Sequence, residues 1–231
     1  MTSPNERRAA ILKAATRLFE HYGHGKTTIA EVAREARIGV GTVYLEFDSK
    51  EAIVEELSLS THAGVLEAMR AASDVSDDHA ARLAAVLHAR TRCFLELRKK
   101  GQHACELVHC KTEGVRAVHD RFREQEHALL TVLVAEGRDA GAFAACAPES
   151  IAALLQRAFA SLSPPWIFGG DDDAIRASNE LCQLLLHGLL ASKRPLALLA
   201  TSRAAQRVPA SATPKARATN DAVRKPARRR R

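Results

Sequence analysis

Apolar residues recur at helical spacing from the first residues of the chain onward. Over residues 7–22 they fall on one helical face, with basic side chains on the others. That face consists of Ile11, Ala14, Ala15, Leu18 and Phe19. Gly23 and Gly25 then interrupt the pattern, because glycine disfavours the interior of a helix. The spacing therefore predicts an amphipathic first helix.

A second, shorter helical pattern begins at a pair of threonines. Either Thr27 or Thr28 can cap it, since a threonine hydroxyl accepts a hydrogen bond from an amide of the first turn. Thr28 and Glu31 together fit a capping box. The apolar spacing ends by residue 36, and residues 37–39 form a turn.

A third short helix over residues 40–45 and a long fourth helix over residues 50–72 follow this turn. Asp48 or Ser49 caps the long helix. We expect apolar side chains from these segments to pack into one small core. They are Ile29, Val32, Ile38, Val43 and Phe47.

The remaining pattern is also helical, and the breaks fall at Gly, Pro and Asp clusters. Further helices are predicted over residues 77–99, 102–111, 113–140, 148–163 and 172–191. Alanine and leucine are abundant, both are strong helix formers, and aromatic residues make up only 4% of the chain. The predicted fold class is all-α: a three-helix head over residues 5–65, joined by the long helix to a helical body over residues 66–191.

The positive charge of the chain is concentrated at its C-terminal end. The net charge is +7, and the residues after 190 carry 12 Lys and Arg against one acid, Asp221. Residues 192–231 hold too little apolar bulk to offset the entropy of ordering, so we expect a disordered basic tail. Two interpretations stay open: a solvated extension, or a non-specific electrostatic contact with DNA.

Composition also bears on compartment and cofactors. No stretch reaches the roughly 18 apolar residues of a membrane span, and the first residues lack the apolar segment of a signal peptide, so we expect a cytoplasmic protein with no membrane contact. The five cysteines form no Cys-x-x-Cys pair. We predict free thiols, no bound metal and no cofactor.

Two short helices joined by a three-residue turn, with a helix before and after, predict a helix-turn-helix. In this arrangement the second short helix enters the major groove of DNA, where each base pair presents its own hydrogen-bonding pattern. The sequence resembles the TetR family of transcriptional regulators over residues ~5–65. The resemblance rests on Arg8–Glu20, Gly23, Thr27–Ala33, Gly41–Tyr44, Phe47 and Ser49–Glu51.

The resemblance implies DNA contacts for a defined set of residues. Thr28 would touch a phosphate, Tyr44 the sugar-phosphate backbone and Lys50 a phosphate. The groove-facing positions would lie at the start of the third helix. The full predicted DNA-binding set is Thr27, Thr28, Arg37, Val40, Gly41, Thr42, Tyr44 and Lys50.

The chain departs from the family pattern at four positions. Arg37 replaces the usual turn glycine, so a left-handed backbone there would be strained. Gly39 replaces the usual capping serine. Val40 offers only apolar contact, such as to a thymine methyl group. Glu46 stands where His or Tyr is frequent, and its charge is expected to repel phosphate.

For the body, the resemblance implies a homodimer formed by the last two helices and a pocket for a small molecule. The predicted interface residues are Leu154, Leu155, Ala158, Phe159, Leu162, Leu181, Leu184, Leu185, Gly188 and Leu189. These residues could instead form an internal core. The predicted pocket residues are Phe94, Leu97, Cys105, Val108, His109, Phe122, Leu129 and Trp166. Such a lining suits a hydrophobic ligand, although any of these residues could be core.

The sequence as a whole predicts a ligand-responsive homodimeric repressor that binds double-stranded operator DNA. A helical interaction protein that has lost specific DNA binding is the alternative. None of the nucleotide-binding or hydrolytic motifs is present, so an enzyme is not expected. Cys105 and His109 lie four residues apart on a predicted helix, which leaves open a weaker hypothesis of metal sensing.

Overall fold

The computed structural model describes residues 4–109, 112–167 and 170–189, and all of its regular elements in these ranges are helices. The predicted basic tail over 192–231 lies outside the described residues. The α-helices are α1 (Pro4–Tyr22), α2 (Ile29–Glu35), α3 (Val40–Glu46), α4 (Lys50–Ser73), α5 (His79–Lys99), α6 (Glu106–His109), α7 (Glu113–Asp139), α8 (Pro148–Phe159) and α9 (Asp171–Leu189). The all-α prediction is confirmed.

Helix starts in the head follow the capping chemistry of the sequence. The Thr28 hydroxyl accepts from the Glu31 amide at 3.2 Å, and the Glu31 carboxylate accepts from the Thr28 amide at 2.8 Å. This reciprocal pair is the predicted capping box, and it fixes the start of α2. Ser49 caps α4 by accepting from the Ala52 amide at 3.1 Å.

The head encloses a small core of its own. Val32, Val43 and Phe47 are buried in it, as predicted, and Ile29 and Ile38 are partly buried against it. Two residues of the body also belong to this cluster: Leu107 of α6 and Val115 of α7. The head core is therefore closed by side chains that lie far away in sequence.

Helix α4 is shared by the head and the body. Its first half buries Ile53, Val54 and Leu57 in the head core, and its second half buries side chains in the body core. The latter are Val65, Leu66 and Met69. The predicted boundary near residue 65 thus falls within one continuous helix rather than in a linker.

The body packs α5, α7, α8 and α9 together with the second half of α4 around one apolar core. Helix α4 contacts α5 and α7, while α8 lies on α7 and α9 lies on α5. The largest core residues include Phe122, Phe159, Leu83, Leu87 and Leu130, and all are buried. Among the described residues, no helix is both long and apolar enough to cross a membrane.

The segment predicted as a helix over 102–111 is helical in only half of its described residues. Residues 102–105 form a loop of turns, and Glu106–His109 form a helical turn. The loop runs against α1: the His103 amide donates to the Glu20 carbonyl at 3.0 Å, and a side chain at Gly101 would overlap that carbonyl. Close contact with the head therefore overrides helical propensity here.

Two further boundaries differ from the prediction. Helix α1 begins at Pro4 rather than at residue 7, with proline in a first turn where its missing N–H costs nothing. The segment predicted as one helix over 148–163 is α-helical only to Phe159 and continues as a 3-10 turn over Ala160–Leu162. Pro164 and Pro165 follow, and neither can supply the amide that a longer helix needs.

Candidate nucleic-acid interface and body cavity

Helix α3 presents an open and largely apolar surface. Val40 is 41% exposed, Tyr44 52% and Leu45 82%, and Gly41 has open space on its Cα. Val43, on the opposite side, is buried in the head core. One face of α3 therefore anchors the helix, and the other is available to a partner. Leu45 is the most exposed of these side chains and was not among the predicted DNA contacts.

The two threonines before α2 have different environments. Thr28 is exposed at the helix start, in a position suited to a phosphate oxygen. Thr27 is only 2% exposed, and its hydroxyl donates to the Gly23 carbonyl at 3.0 Å. The prediction that Thr27 contacts DNA is therefore wrong for its side chain, because the hydroxyl is used inside the loop.

The turn between α2 and α3 contains the strained residue that the sequence predicts. Arg37 has φ 57°, in the left-handed region, and its side chain is exposed. Gly39 is the N-cap of α3 and makes no side-chain capping bond. Arg37 thus stands in a conformation that favours glycine, with its guanidinium group in solvent beside the recognition helix.

Lys50 has a structural role inside the head. Its ammonium donates to the carbonyls of His24 at 2.8 Å and Thr27 at 3.0 Å. These bonds hold the loop between α1 and α2 against the start of α4. The expected phosphate contact of Lys50 stays a prediction, and the ammonium would have to bind the phosphate while it donates to these two carbonyls.

The expectation that Glu46 repels phosphate is not supported by its position. Its carboxylate accepts from the Arg7 guanidinium at 3.1 Å, and its side chain is largely covered. Arg8 lies next to it, donates to the Glu46 carbonyl at 2.6 Å, pairs with Glu56 and stacks on the Phe47 ring at 4.0 Å. Arg7 thus pairs with the Glu46 carboxylate, and the two arginines together tie α1 to α3 and α4.

The body contains a cavity of about 340 Å³ between α5, α6, α7 and α8. Three of the eight predicted pocket residues line it: Val108, His109 and Trp166. Phe94, Leu97 and Phe122 are instead buried in the core, and Leu129 and Cys105 are partly buried. The aromatic and leucine positions were predicted from periodicity, which identifies an inward face but does not distinguish core from cavity wall.

Polar side chains that sequence reasoning missed make up much of the cavity wall. They are Arg90, Arg116, His119, Arg123, Glu126, Gln156, Arg157 and Ser163. The spacing of Arg116, His119 and Arg123 along α7 was the available signal, because these positions share one helical face. The cavity is therefore more polar and more basic than predicted.

A buried ion pair supports the inner end of this cavity. Arg90 and Glu126 are 5% and 1% exposed, and their side chains pair directly. Arg90 also donates to the Ser163 hydroxyl at 2.6 Å and the Phe159 carbonyl at 3.2 Å. The second Glu126 oxygen accepts from Gln156 at 2.8 Å. Both charges are thus hydrogen-bonded, as buried charges require.

Two neighbouring histidines lie where α4 meets α7. His62 and His119 have ring centroids 5.7 Å apart. Burial, which disfavours the charged ring, lowers the pKa of His62 to about 4 and also lowers the pKa of His119. His62 Nε2 and His119 Nδ1 are buried without a hydrogen-bond partner among the described residues. Both rings are therefore neutral at physiological pH.

The metal hypothesis finds no matching geometry. His109 Nδ1 faces the Cys105 carbonyl on the same turn. The described residues contain no cluster of three His, Cys, Asp or Glu side chains able to hold an ion. Burial raises the pKa of the Cys105 thiol, which disfavours the thiolate that a soft metal needs.

The predicted interface residues divide between core and surface. Leu155, Phe159, Leu162 and Leu189 are buried in the body core, which corrects their assignment to a dimer face. Ala158, Leu181 and Leu185 are partly buried against the same core. Leu154, Leu184 and Gly188 are exposed, and Leu184 is 72% exposed. Apolar side chains on α8 and α9 therefore remain exposed.

Comparison with known proteins places these features in a family. Residues 11–57 match the family described as bacterial regulatory proteins, tetR family. The uncharacterized HTH-type transcriptional regulator YhgD of Bacillus subtilis (strain 168) is 27% identical over 165 residues, which cover 70% of this chain and 84% of that protein.

Solved structures share the fold. A TetR/AcrR-family transcriptional regulator from Thermobifida fusca has a TM-score of 0.67 at 24% identity, covering 80% of this chain and 98% of that one. The regulator FadR of Bacillus subtilis, solved in complex with stearoyl-CoA, has a TM-score of 0.61 at 16% identity, covering 77% of this chain and 97% of that one.

The head geometry and these matches define a helix-turn-helix DNA-binding protein. Residues 11–57 form a head of the tetR family of bacterial regulatory proteins, and the described residues share the fold of solved TetR-family structures. The family resemblance found in the sequence is thereby confirmed.

Proposed function

We propose that this protein is a ligand-responsive, homodimeric repressor that binds operator DNA through α3 in the cytoplasm. The observation that carries the proposal is that one residue, Val115, belongs to the head core and also lines the body cavity. A molecule that fills the cavity would press on a side chain that supports the DNA-binding head. Ligand and DNA would then favour different positions of the same elements.

Further contacts between α6 and the head support this coupling. Glu106 accepts from the His24 amide at 3.3 Å, and its other oxygen lies 2.7 Å from His103 Nδ1. The same loop is held by Lys50 from α4. The helical turn that carries Val108 and His109 to the cavity therefore also contacts the loop before α2.

A dimer is supported by the exposed apolar side chains Leu154 on α8 and Leu184 on α9. Two-fold symmetric heads would match the two halves of an operator, one turn of DNA apart. A ligand for this chain is supported by FadR of Bacillus subtilis, which shares the fold and was solved in complex with stearoyl-CoA. The apolar part of a ligand would meet Val108, Ala160 and Trp166 here.

The test is a gel-shift titration of the full chain against DNA fragments from upstream of its own coding sequence. The variant is Tyr44→Ala, which removes an exposed ring from α3. The matched control is Tyr22→Ala, which removes the other tyrosine, 53% exposed at the end of α1. We expect saturable binding to one fragment, lost in Tyr44→Ala and retained in Tyr22→Ala.

Equal binding to all fragments, unaffected by Tyr44→Ala, would instead favour an interaction protein without a specific operator. Lys50→Ala is unsuitable as the first variant, because Lys50 also holds the loop of the head. A loss of binding in that variant would report folding of the head as readily as a lost phosphate contact.

A further inference from the structure

Guanidinium groups outnumber carboxylates in the wall of the body cavity. Four arginines line it, against a single acidic residue. The arginines are Arg90, Arg116, Arg123 and Arg157, and the acid is Glu126. The excess of positive charge sets this cavity apart from an apolar pocket.

The one carboxylate does not oppose an anion in the cavity. Glu126 pairs with Arg90 through one oxygen and accepts from Gln156 through the other. Its charge is compensated by a partner that is equally buried. The remaining three arginines therefore determine the charge that an incoming ligand meets.

Those three guanidinium groups are arranged around one opening. Arg116 and Arg123 lie seven residues apart on α7, on the face that also carries His119. Arg157 lies on α8, which packs against α7. Within the part of the chain that the structure describes, none of the three pairs with a carboxylate.

The other walls are apolar or aromatic. Val108, Val115, Ala160, Pro164 and Trp166 contribute them. Trp166 is 63% exposed, so its indole edges the opening. A volume of about 340 Å³ accommodates a small organic molecule but not a large one.

We propose that the cavity binds a small organic anion, with an apolar body against Val108 and Trp166 and a carboxylate or phosphate group held by Arg116, Arg123 and Arg157. This proposal rests on the proposed function for its regulatory meaning, and it narrows the ligand class from hydrophobic to amphipathic and acidic. Arginine suits both acidic groups, because its planar N–H pairs match two oxygens at once.

Isothermal titration of the full-length protein with four probes tests the proposal. The probes are 1-naphthoate, 1-naphthyl phosphate, the neutral 1-naphthamide and inorganic phosphate. We expect one of the two naphthyl anions to bind at least roughly tenfold tighter than the amide, since a charge-assisted bond distinguishes them. The stronger of the two anions identifies the acidic group.

The second part uses charge-removing variants on the exposed surface of α7. Arg116→Gln with Arg123→Gln is expected to weaken binding of the anionic probe roughly tenfold and leave amide binding unchanged. Arg121→Gln is the matched control, because Arg121 is exposed on α7 and is absent from the cavity wall. Circular dichroism confirms that both proteins are folded.

Three results would overturn the proposal: no anionic probe binds, the amide binds as tightly as the anions, or Arg121→Gln has the same effect as the double variant. Inorganic phosphate that binds as tightly as the naphthyl anions would also overturn it, since the apolar wall of the cavity would then contribute nothing to affinity. Gel shifts on the same proteins separate the two proposals. Operator binding without anion binding defeats this inference alone, and anion binding without an operator defeats the proposed function alone.

Discussion

On the exposed face of α3, the side chains available for contact with bases are short or apolar. The helix carries Val40, Gly41, Tyr44 and Leu45 outward, and its one charged residue, Glu46, is paired with Arg7. Asparagine, glutamine and arginine, which form two hydrogen bonds with adenine or guanine, are absent from α3. Apolar contact with thymine methyl groups is therefore the main mode of base recognition we expect from α3, with the Thr42 hydroxyl and Arg37 beside it.

Leu45→Ala is predicted to weaken operator binding by about 1–2 kcal/mol, because it removes most of an apolar side chain that DNA would cover. Replacing thymine by uracil in the operator removes the methyl groups. This change should weaken operator binding by the wild-type protein to a similar extent, and binding by the variant less. Fluorescence anisotropy with labelled operator measures both. Leu59→Ala, which truncates an exposed leucine of α4, is the control and should bind normally.

Arg37 permits a prediction that separates strain from charge. Arg37→Gly should stabilise the fold by about 0.5–1 kcal/mol, because glycine adopts a positive φ without steric cost. Arg37→Ala keeps the strain and should not stabilise it. Both variants lose a positive charge near DNA. The slope of the logarithm of the operator-binding constant against the logarithm of the salt concentration should therefore become shallower by about one. Urea unfolding and salt titrations measure the two effects; equal stabilisation by alanine would contradict the strain argument.

Among the elements, α5, α7 and α8 are joined by a buried polar network as well as by apolar packing. Arg90 on α5 pairs with Glu126 on α7, and Gln156 on α8 donates to Glu126 and to the Arg123 carbonyl, each at 2.8 Å. Such a network positions the helices that form the cavity, because each buried charge depends on its partner.

Glu126→Gln is predicted to destabilise the protein by about 3 kcal/mol, since it leaves the Arg90 guanidinium buried without a countercharge. Glu124→Gln changes an exposed residue of the same helix and should have an effect within about 0.5 kcal/mol. Chemical denaturation of both variants checks this. If Glu126→Gln lowers the free energy of unfolding no more than Glu124→Gln does, the ion pair contributes little to stability.

Across the whole molecule, the head and the body are linked by shared side chains rather than by a flexible linker. Helix α4 passes through both cores, and Leu107 and Val115 close the head core from the body side. A change in the body can therefore reach the head through packed contacts. The same continuity makes global stability sensitive to groups buried between α4 and α7.

The pair His62 and His119 predicts acid sensitivity. The pKa of His62 falls from 6.5 to about 4 in the folded protein because burial disfavours the charged ring. Above pH 6.5 the ring is neutral in both states, and its contribution to stability is fully present. As the pH falls from 6.5 toward 4, the unfolded chain binds a proton at His62 that the folded protein does not. The free energy of unfolding therefore decreases by up to about 3 kcal/mol.

His62→Leu should flatten this pH dependence, because the variant has no proton to bind at this position. The exposed His21 provides the control, and His21→Leu should leave the curve unchanged. Thermal melts between pH 7 and pH 4 measure the effect. An unchanged slope in His62→Leu would show that another group accounts for the acid sensitivity.

Assembly gives the second prediction at this scale. Leu184→Arg places a charge on the exposed face of α9 and should convert a dimer into a monomer. Operator affinity should then fall at least roughly tenfold, because two linked heads no longer bind the two half-sites of one operator. Val132→Arg, at an exposed position on α7, is the control. Sedimentation velocity measures the mass, and an unchanged mass in Leu184→Arg would place the interface elsewhere.

The sequence by itself determined the local features of the head. The Thr28–Glu31 capping box, the Ser49 cap, the turn at Arg37 and the buried face of α3 depend on residues close together in the chain. Periodicity and capping chemistry act over one or two helical turns, so they are visible in the order of residues. The all-α class followed from the same short-range rules.

Only the tertiary structure decided which inward residues are core and which line a cavity. Phe94 and Phe122 are packed because α5 and α7 meet there, whereas Arg90 is tolerated inside because Glu126 approaches it from a distant helix. Likewise, Thr27, Lys50 and Glu46 are turned to internal partners that no local pattern shows. These outcomes depend on contacts between residues far apart in sequence, and spacing along a single helix carries no information about what lies opposite.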